Sequence, residues 1–293
     1  PLRLLPSSKF NLTAPEADKG PVKTAVDNIK AFLIAKCGCD CFAQNGIPVT
    51  LALGKAPEDV KNAKEAYEIT VSAEGITITG YGDSGLFYGV GSFMQLCRWD
   101  NTGVELPAVE VLDWPDNPFR AYKEECRYGS NMMEKEDWFA MIDDLSSKKI
   151  NNLSLALYGC WVMQYDGPVA EYLYLPIDGY PQLKTPMTVK YYSPTEGKWF
   201  HYEQLPPMYR DNFFGEVCRY AKDHGMDVIP GISNSSYLEI KSGLNLGDTV
   251  YYTESMTMMD LFMNMTGMGG GNQAEGQVIG GADGPSGNFG GQR

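Results

Sequence analysis

The chain has 293 residues, and its 24 lysines and arginines against 37 aspartates and glutamates leave a net charge of −13. Such a charge repels phosphate backbones and anionic lipid headgroups, which excludes nucleic acid and membrane surfaces as expected partners. The length predicts about two domains, and no apolar run approaches the roughly 20 residues that span a bilayer.

Histidine and cysteine are sparse in ways that limit the chemistry. The two histidines, His201 and His224, argue against most zinc hydrolases and against a Ser-His-Asp triad. Seven cysteines, an odd number, do not predict a disulfide framework. Cys37, Cys39 and Cys41 could supply three thiolates, but they lack a second pair at zinc-site spacing and a nearby histidine. We therefore predict neither metal nor cofactor, with a metal site at these cysteines as the alternative.

The first part of the chain predicts a small α/β domain. Apolar residues from Val22 to Ala35 recur at helical spacing and indicate a buried helix face. Three strands follow, at Ile47–Leu53, Tyr67–Val71 and Ile76–Thr79, the last two joined around Gly75 in a turn that needs positive φ. A helix over Leu86–Leu96, capped by Asp83 or Ser84, completes the set. Three prolines between 107 and 118 predict the end of this domain, which we place at residues 1–115.

Beyond Pro118 strands and helices alternate, which is the rhythm of a parallel sheet. The predicted elements are strand Phe119–Cys126, helix Lys135–Ser147, strand Leu153–Leu157, helix Asp211–His224 and strand Val228–Ile232. Tyrosine, tryptophan and proline are dense in the connection from Tyr158 to Arg210, a composition typical of loops that build a sugar-facing rim. After Leu246 methionine and then glycine dominate, so residues 247–293 cannot bury enough apolar surface to fold alone.

Two motifs in the first half of the chain carry a family resemblance. Residues 78–96 fit the pattern I-x-G-x-x-x-x-G-x-F-Y-G-x-x-x-x-x-Q-L, and residues 113–120 fit D-W-P-x-x-x-x-R. Together they resemble the accessory domain and barrel entry of glycoside hydrolase family 20. The similarity continues at Lys149–Asn151, Tyr220–Lys222 and Ile229–Pro230, and it covers roughly residues 1 to 240.

The resemblance implies both a fold and an activity. It implies a zincin-like α/β accessory domain without metal at residues 1–115 and an incomplete (β/α)₈ TIM-type barrel at residues 116–246. It also implies an exo-glycosidase of the β-N-acetylhexosaminidase type, in which the substrate's own acetamide oxygen attacks the anomeric carbon. The expected partner is a carbohydrate, and we favour an extracellular or cell-envelope location over the cytoplasm.

Five residues are candidate sugar contacts. Arg120 matches the arginine that closes the family's first barrel strand and holds sugar hydroxyls, and the alternative is a salt bridge at the domain junction. Tyr158, Trp161 and Tyr165 could stack on a sugar face, with ordinary packing as the alternative. Asp166 is an acid near a predicted strand end, where a solvated surface acid is the alternative.

The catalytic residues of the family have no counterpart here. Its Asp-Glu pair after the fourth strand is missing, because no Asp-Glu dipeptide occurs in the chain. Gly159-Cys160 stands where the family has an acidic pair, and its histidine after the third strand falls near Tyr237. We identify no catalytic residue and predict that this chain alone is inactive.

The predicted barrel is short as well. About 150 residues separate Phe119 from the glycine-rich segment, against about 250 for a complete barrel. A further chain segment or subunit would then complete it. Two alternatives stay open: a non-catalytic carbohydrate-binding or assembly module, and a related barrel glycosidase of the α-glucuronidase or α-N-acetylglucosaminidase type.

Overall fold

A computed structural model describes residues 1–124, 132–157, 175–176, 179 and 186–232. All of them fall in one unit of the chain, Pro1–Ile232. The predicted segment 247–293 and the boundary at residue 246 lie outside the described residues. None of the helices in the described ranges combines the length and the apolar character that a membrane crossing requires.

The first half of the chain builds a five-stranded mixed sheet with two helices. Its strands lie in the order β2-β3-β5-β4-β7, where β2, β3 and β5 are parallel and β4 runs antiparallel to both β5 and β7. The strands are β2 (Phe10–Thr13), β3 (Ile47–Leu53), β4 (Tyr67–Ser72), β5 (Gly75–Gly80) and β7 (Val109–Asp113). Strands β1 (Leu2–Leu4) and β6 (Val104–Leu106) pair separately. We call residues 1–114 the mixed-sheet region.

Helices α1 (Gly20–Cys37) and α2 (Asp83–Leu96) pack on each other, and α2 also lies against β4 and β5. The core between them includes Ile29, Leu33, Ile69, Ile78 and Phe93, all fully buried. Both helices were predicted. The predicted cap of α2 is wrong, however: the helix begins at Asp83, and its N-cap residue Gly82 has no side chain to cap it.

Gly75 and Gly85 each lie so close to the backbone of a neighbouring segment that a side chain would not fit. Gly75 has a φ of +151°, and a Cβ there would lie 2.5 Å from the Pro48 carbonyl oxygen of the neighbouring strand β3. A Cβ on Gly85 would lie 2.2 Å from the Ala66 carbonyl oxygen, so a larger residue would push α2 off the chain beneath it. The antiparallel hairpin predicted around Gly75 is confirmed, with Ser72 paired to Gly75.

The second half builds a parallel sheet of three strands in the order β8-β9-β12, which are β8 (Ala121–Glu124), β9 (Asn152–Leu157) and β12 (Asp227–Ile232). Ala121 and Asp227 both pair with Asn152, so the three strands begin level with one another. Helix α3 (Lys135–Ser147) connects β8 to β9, and helices α4 (Pro207–Asp211) and α5 (Phe214–Asp223) precede β12. We call residues 119–232 the parallel-sheet region. The helices and sheets of the two regions together confirm the predicted α/β fold class.

Leucines of β9 and apolar residues of the helices form a second core. Leu153, Leu155, Trp138, Ile142 and Val217 are fully buried in it. The bounds predicted for α3 match those observed. The single helix predicted over Asp211–His224 is wrong, because the chain breaks at Asn212, whose φ is +51° and whose N–H closes α4 on Met208.

One element of the parallel-sheet region was not predicted. Within the long connection after β9, strands β10 (Met187–Ser193) and β11 (Lys198–Gln204) form an antiparallel hairpin. Tyr191, Tyr192, Trp199 and Tyr202 of this hairpin are exposed. The short strands β1, β2, β6 and β7 were also not predicted.

Candidate functional site

An ion pair between Glu65 and Arg120 joins the two regions. Glu65 belongs to a 3₁₀ turn before β4, and Arg120 immediately precedes β8. The pair is bidentate, with Nη1 to Oε2 at 2.9 Å and Nη2 to Oε1 at 3.0 Å, and the two side chains are only 17% and 14% exposed. Such a fork-to-fork arrangement is among the strongest pairings available to an arginine.

All five N–H groups of Arg120 have an acceptor. Besides Glu65, Nε donates to the Lys149 carbonyl at 2.7 Å, Nη1 donates to the Asn117 carbonyl at 2.6 Å, and Nη2 approaches the Tyr88 hydroxyl at 3.4 Å. Asn151 adds to the cluster by donating to Glu65 Oε1 at 2.8 Å while accepting from the Arg120 backbone N–H at 2.9 Å. The guanidinium therefore has no N–H left for a sugar hydroxyl.

These contacts correct the position predicted for Arg120. It lies at the amino end of β8 and not at the carboxyl end of the first barrel strand, where barrel enzymes place their sites. Its contacts are those of the alternative, a salt bridge at the junction. Sugar binding by Arg120 stays a prediction that this geometry does not support.

A second polar cluster crosses the junction beside the first. Lys149 Nζ donates to the Tyr67 hydroxyl at 2.7 Å, lies 3.2 Å from Asp113 Oδ2 and sits 4.7 Å from the centre of the Tyr67 ring. The Tyr67 hydroxyl also bonds to Asp113 and lies 2.7 Å from Ser92 Oγ. Asp113 begins the D-W-P motif and Lys149 begins the similar segment Lys149–Asn151, so both of these segments mark the junction.

Ionisation in the two clusters follows from burial and pairing. Burial raises the pKa of Tyr88, and the neighbouring Glu65 carboxylate raises it further. Burial alone would raise the pKa of Asp113, but the hydrogen bonds from Tyr67 and Lys149 outweigh it and hold that pKa below the usual value. Burial opposes the charge on Arg120, yet Glu65 keeps the pKa of Arg120 above its ordinary range. The junction is thus a charged structure in which each charge is paired with an opposite one.

Helices α1 and α5 make a third contact. Asp223 at the end of α5 accepts the Gly20 backbone N–H at 2.8 Å, and its carbonyl accepts the Thr24 hydroxyl at 2.7 Å. Next to it, Asp143 of α3 accepts the Tyr220 hydroxyl at 2.8 Å and lies 3.3 Å from His224 Nε2. Asp143 therefore sits on the helix layer, and its carboxylate is used within that layer.

The carboxyl ends of the parallel strands lie at Glu124, Leu157 and Ile232. Glu124 is half-buried at this edge, and the edge is where a barrel-type site would form. The predicted contacts Tyr158, Trp161, Tyr165 and Asp166 follow β9 directly in sequence and lie outside the described residues. The same holds for Glu125, for Gly159-Cys160 and for Tyr237.

The cysteine cluster has no metal-site geometry. Within the described ranges, no three His, Cys, Asp or Glu side chains lie together as a metal site would require. Cys37, Cys39 and Cys41 are free, and burial raises the pKa of Cys37 and of Cys41. A raised thiol pKa disfavours the thiolate that binds metals.

Glu65 and Tyr88 are junction residues that the sequence interpretation missed. The D-W-P and Lys149–Asn151 motifs did signal this place, but nothing in the sequence links them to Glu65, which is 55 residues from Arg120.

Comparison with known proteins agrees with the fold. Residues 7–114 match the family model for glycosyl hydrolase family 20, domain 2. The chain is 24% identical over 191 residues to beta-hexosaminidase B of Pseudoalteromonas piscicida, and 26% identical over 196 residues to N,N'-diacetylchitobiase of Vibrio harveyi. These alignments cover 62% and 64% of this chain but only 23% and 21% of the relatives, so the chain spans under a quarter of their length.

Solved structures share the fold at low identity. The Streptomyces plicatus N-acetyl-beta-hexosaminidase has a TM-score of 0.55 at 19% identity, and the match covers 78% of this chain and 42% of that one. The exo beta-N-acetylglucosaminidase of Vibrio harveyi, solved with N-acetylglucosamine, has a TM-score of 0.54 at 16% identity and covers 78% and 33%. This chain is therefore similar to the β-N-acetylhexosaminidases of glycoside hydrolase family 20, and residues 7–114 match that family's second domain.

Proposed function

We propose that the chain forms the accessory domain and the first three barrel strands of an exo-glycosidase that removes terminal N-acetylhexosamines. One observation carries the proposal: the family-matched residues 7–114 are fixed, through Arg120 and Lys149, to three parallel strands in the order β8-β9-β12. A domain followed by successive strand-helix units is how a (β/α)₈ enzyme with this accessory domain would begin. The mixed sheet under α1 and α2 supports a zincin-like architecture for that domain.

The proposal includes a further chain segment or subunit that completes the barrel. Strand β8 is exposed at Ala121, Tyr122 and Lys123, although parallel strands are normally covered on both faces. Strands β8 and β12 each have one strand neighbour among the described residues. A fourth strand beside β12 and a closing strand beside β8 would cover both edges.

The same proposal predicts that these 293 residues alone do not hydrolyse glycosides. General acid catalysis contributes about 10²- to 10⁴-fold and orientation of the attacking group contributes more, and the chain has no Asp-Glu pair to supply them. The missing acids would come with the missing strands. A secreted or cell-envelope enzyme remains our proposal for its location.

The test compares this chain with a polypeptide extended by the remaining barrel strands. Both are assayed with chromogenic N-acetyl-β-glucosaminide, N-acetyl-β-galactosaminide and β-glucuronide. We expect no turnover by the chain alone and turnover of about 1 to 10³ per second by the extended enzyme on an N-acetylhexosaminide. Ordinary turnover by the chain alone would reveal an unrecognised acid pair, and an extended enzyme that cleaves only the glucuronide would overturn the substrate class.

A second candidate is a non-catalytic carbohydrate-binding module. The absence of an Asp-Glu pair anywhere in the 293 residues favours it. Sugar binding by the extended polypeptide without turnover of any of the three substrates would select this candidate over the first.

A further inference from the structure

We infer that one face of the β10–β11 hairpin binds glycans by stacking a pyranose ring on Trp199, beside Tyr192. We call this face the Trp199 face. It carries Tyr192 and Lys190 from β10 and Trp199, His201 and Glu203 from β11, because side chains alternate between the two sides of a strand. The inference extends the proposed function, since it assumes that the protein acts on carbohydrate.

The two faces of the hairpin have different tasks. On the opposite face, Tyr191 stacks on Phe200 with ring centres 5.2 Å apart, Tyr202 meets Tyr191 edge-on at 6.2 Å, and Lys198 lies 4.8 Å from the centre of the Phe200 ring. An isolated two-stranded hairpin is marginal in water, so this packed cluster stabilises the hairpin itself. The Tyr192–Trp199 pair on the other face adds a cross-strand aromatic contact of its own.

Trp199 remains open to a ligand. Its side chain is 64% exposed, more than any other large hydrophobic side chain in the described part of the chain, and its ring meets Tyr192 edge-on at 5.6 Å between centres. Leaving an indole in water forgoes the free energy that burying it would contribute, and an interaction partner would recover that free energy.

The neighbouring groups fit a sugar. A pyranose has a face of polarised C–H groups that meets the negative face of an aromatic ring, and an edge of hydroxyls that need donors and acceptors. Lys190 and His201 pair across the strands next to the aromatic pair and supply donors, and Glu203 supplies an acceptor. All three are exposed and can therefore reach the edge of a stacked ring.

The face by itself is smaller than a stable protein interface. Seven residues per strand extend about 23 Å, and two strands are roughly 10 Å wide, which gives about 230 Å². A specific protein interface needs about 800 Å² per partner. A few sugar residues of a glycan chain need no more than the face offers.

The hairpin also has a suitable place in the fold. It belongs to the connection that leaves β9 at its carboxyl end and returns through α4 and α5. Strand-to-helix connections lie on the side where barrel enzymes bind substrate. A glycan whose terminal residue is cleaved there extends away from the site and can meet such a hairpin.

The test measures binding of the full chain to insoluble chitin and cellulose by depletion, and to a six-residue chito-oligosaccharide by intrinsic tryptophan fluorescence. We expect binding to at least one of these β-linked glycans and a loss on the order of tenfold in Trp199→Ala, the usual effect of removing a central aromatic contact. Trp199→Tyr should retain most of the affinity, because it keeps an aromatic face and the hairpin's pairing.

Phe119→Ala is the matched control. Phe119 is 60% exposed but lies beside the amino end of the parallel sheet, so its loss should leave binding unchanged. Binding that survives Trp199→Ala, an equal loss in Phe119→Ala, no binding to any of the glycans, or a dimer that Trp199→Ala dissolves would each overturn the inference. Binding is read without turnover, so an extended enzyme that fails to hydrolyse overturns the proposed function alone.

Discussion

The mixed-sheet and parallel-sheet regions differ in how well their sheets are covered by the described residues. In the mixed sheet, Ile76 and Ile78 of β5 point into the core while Thr77 faces solvent, a pattern that suits a sheet covered on one side. In the parallel sheet, only β9 has fully buried leucines, and β8 is exposed along most of its length. Parallel strands normally need cover on both faces.

The difference teaches that the two regions depend on the rest of the protein to different degrees. The mixed-sheet region has one continuous core, to which residues from β1 to β6 contribute. It also includes antiparallel strand pairs, which a short stretch of chain can form without further strands. The parallel-sheet region relies on the junction with the mixed-sheet region and, in our proposal, on further strands.

Separating the two regions should have the largest effect on folding. We expect residues 1–118 to unfold cooperatively on their own and residues 119–232 to show no sharp transition, because the latter lose the junction and expose β8 and β12. Circular dichroism and calorimetry of both fragments, with the full chain as control, measure this. A sharp calorimetric transition in residues 119–232 would break the comparison.

Weakening the junction should have an intermediate effect. Glu65→Gln keeps the size of the side chain but removes the charge that pairs with Arg120, and we expect a loss of about 1–3 kcal/mol in the free energy of unfolding. Urea denaturation should show the parallel-sheet region unfolding first.

The control for Glu65→Gln is Asp27→Asn. It removes the exposed pair with Lys23, in which Asp27 is 53% exposed, and should cost under about 0.5 kcal/mol. Equal effects of the two substitutions would show that the junction contributes no more than a surface pair.

The smallest effect concerns pH. The pKa of Asp113 is lower in the folded chain than its value of about 3.9 when unfolded, so its pairing stabilises the fold above that value. This contribution of Asp113 to the free energy of unfolding is lost as the pH falls through its lower pKa in the folded chain. The difference in unfolding free energy between the parent and Asp113→Asn should therefore be constant from pH 7 to about 5 and shrink below 4. A difference that grows with acidity would contradict this assignment.

Residue patterns predicted the elements whose hydrophobic period is regular. Helix α3 and strand β3 have their predicted bounds because buried residues recur at the spacing of a helix in α3 and alternate in the middle of β3. The β10–β11 hairpin was missed since it is exposed on both faces and lacks an alternating pattern. The break at Asn212 was missed because apolar spacing continues across it. Arg120 was predicted at the wrong end of its strand. The motif shows only which residues are next to Arg120 in sequence, whereas the position of its side chain depends on Glu65, which is distant in sequence.

The full use of Arg120's donors has a consequence for how sequence patterns report on this protein. The D-W-P-x-x-x-x-R and Lys149–Asn151 motifs supply a joint in which Glu65 pairs with Arg120, Asp113 pairs with Lys149, and Asn151 donates to Glu65. A joint of this kind serves an active and an inactive barrel equally well. Sequence patterns built on these residues therefore identify proteins that join two domains in this manner. The residues that catalyse a reaction must be looked for separately, in the segments after the carboxyl ends of the strands.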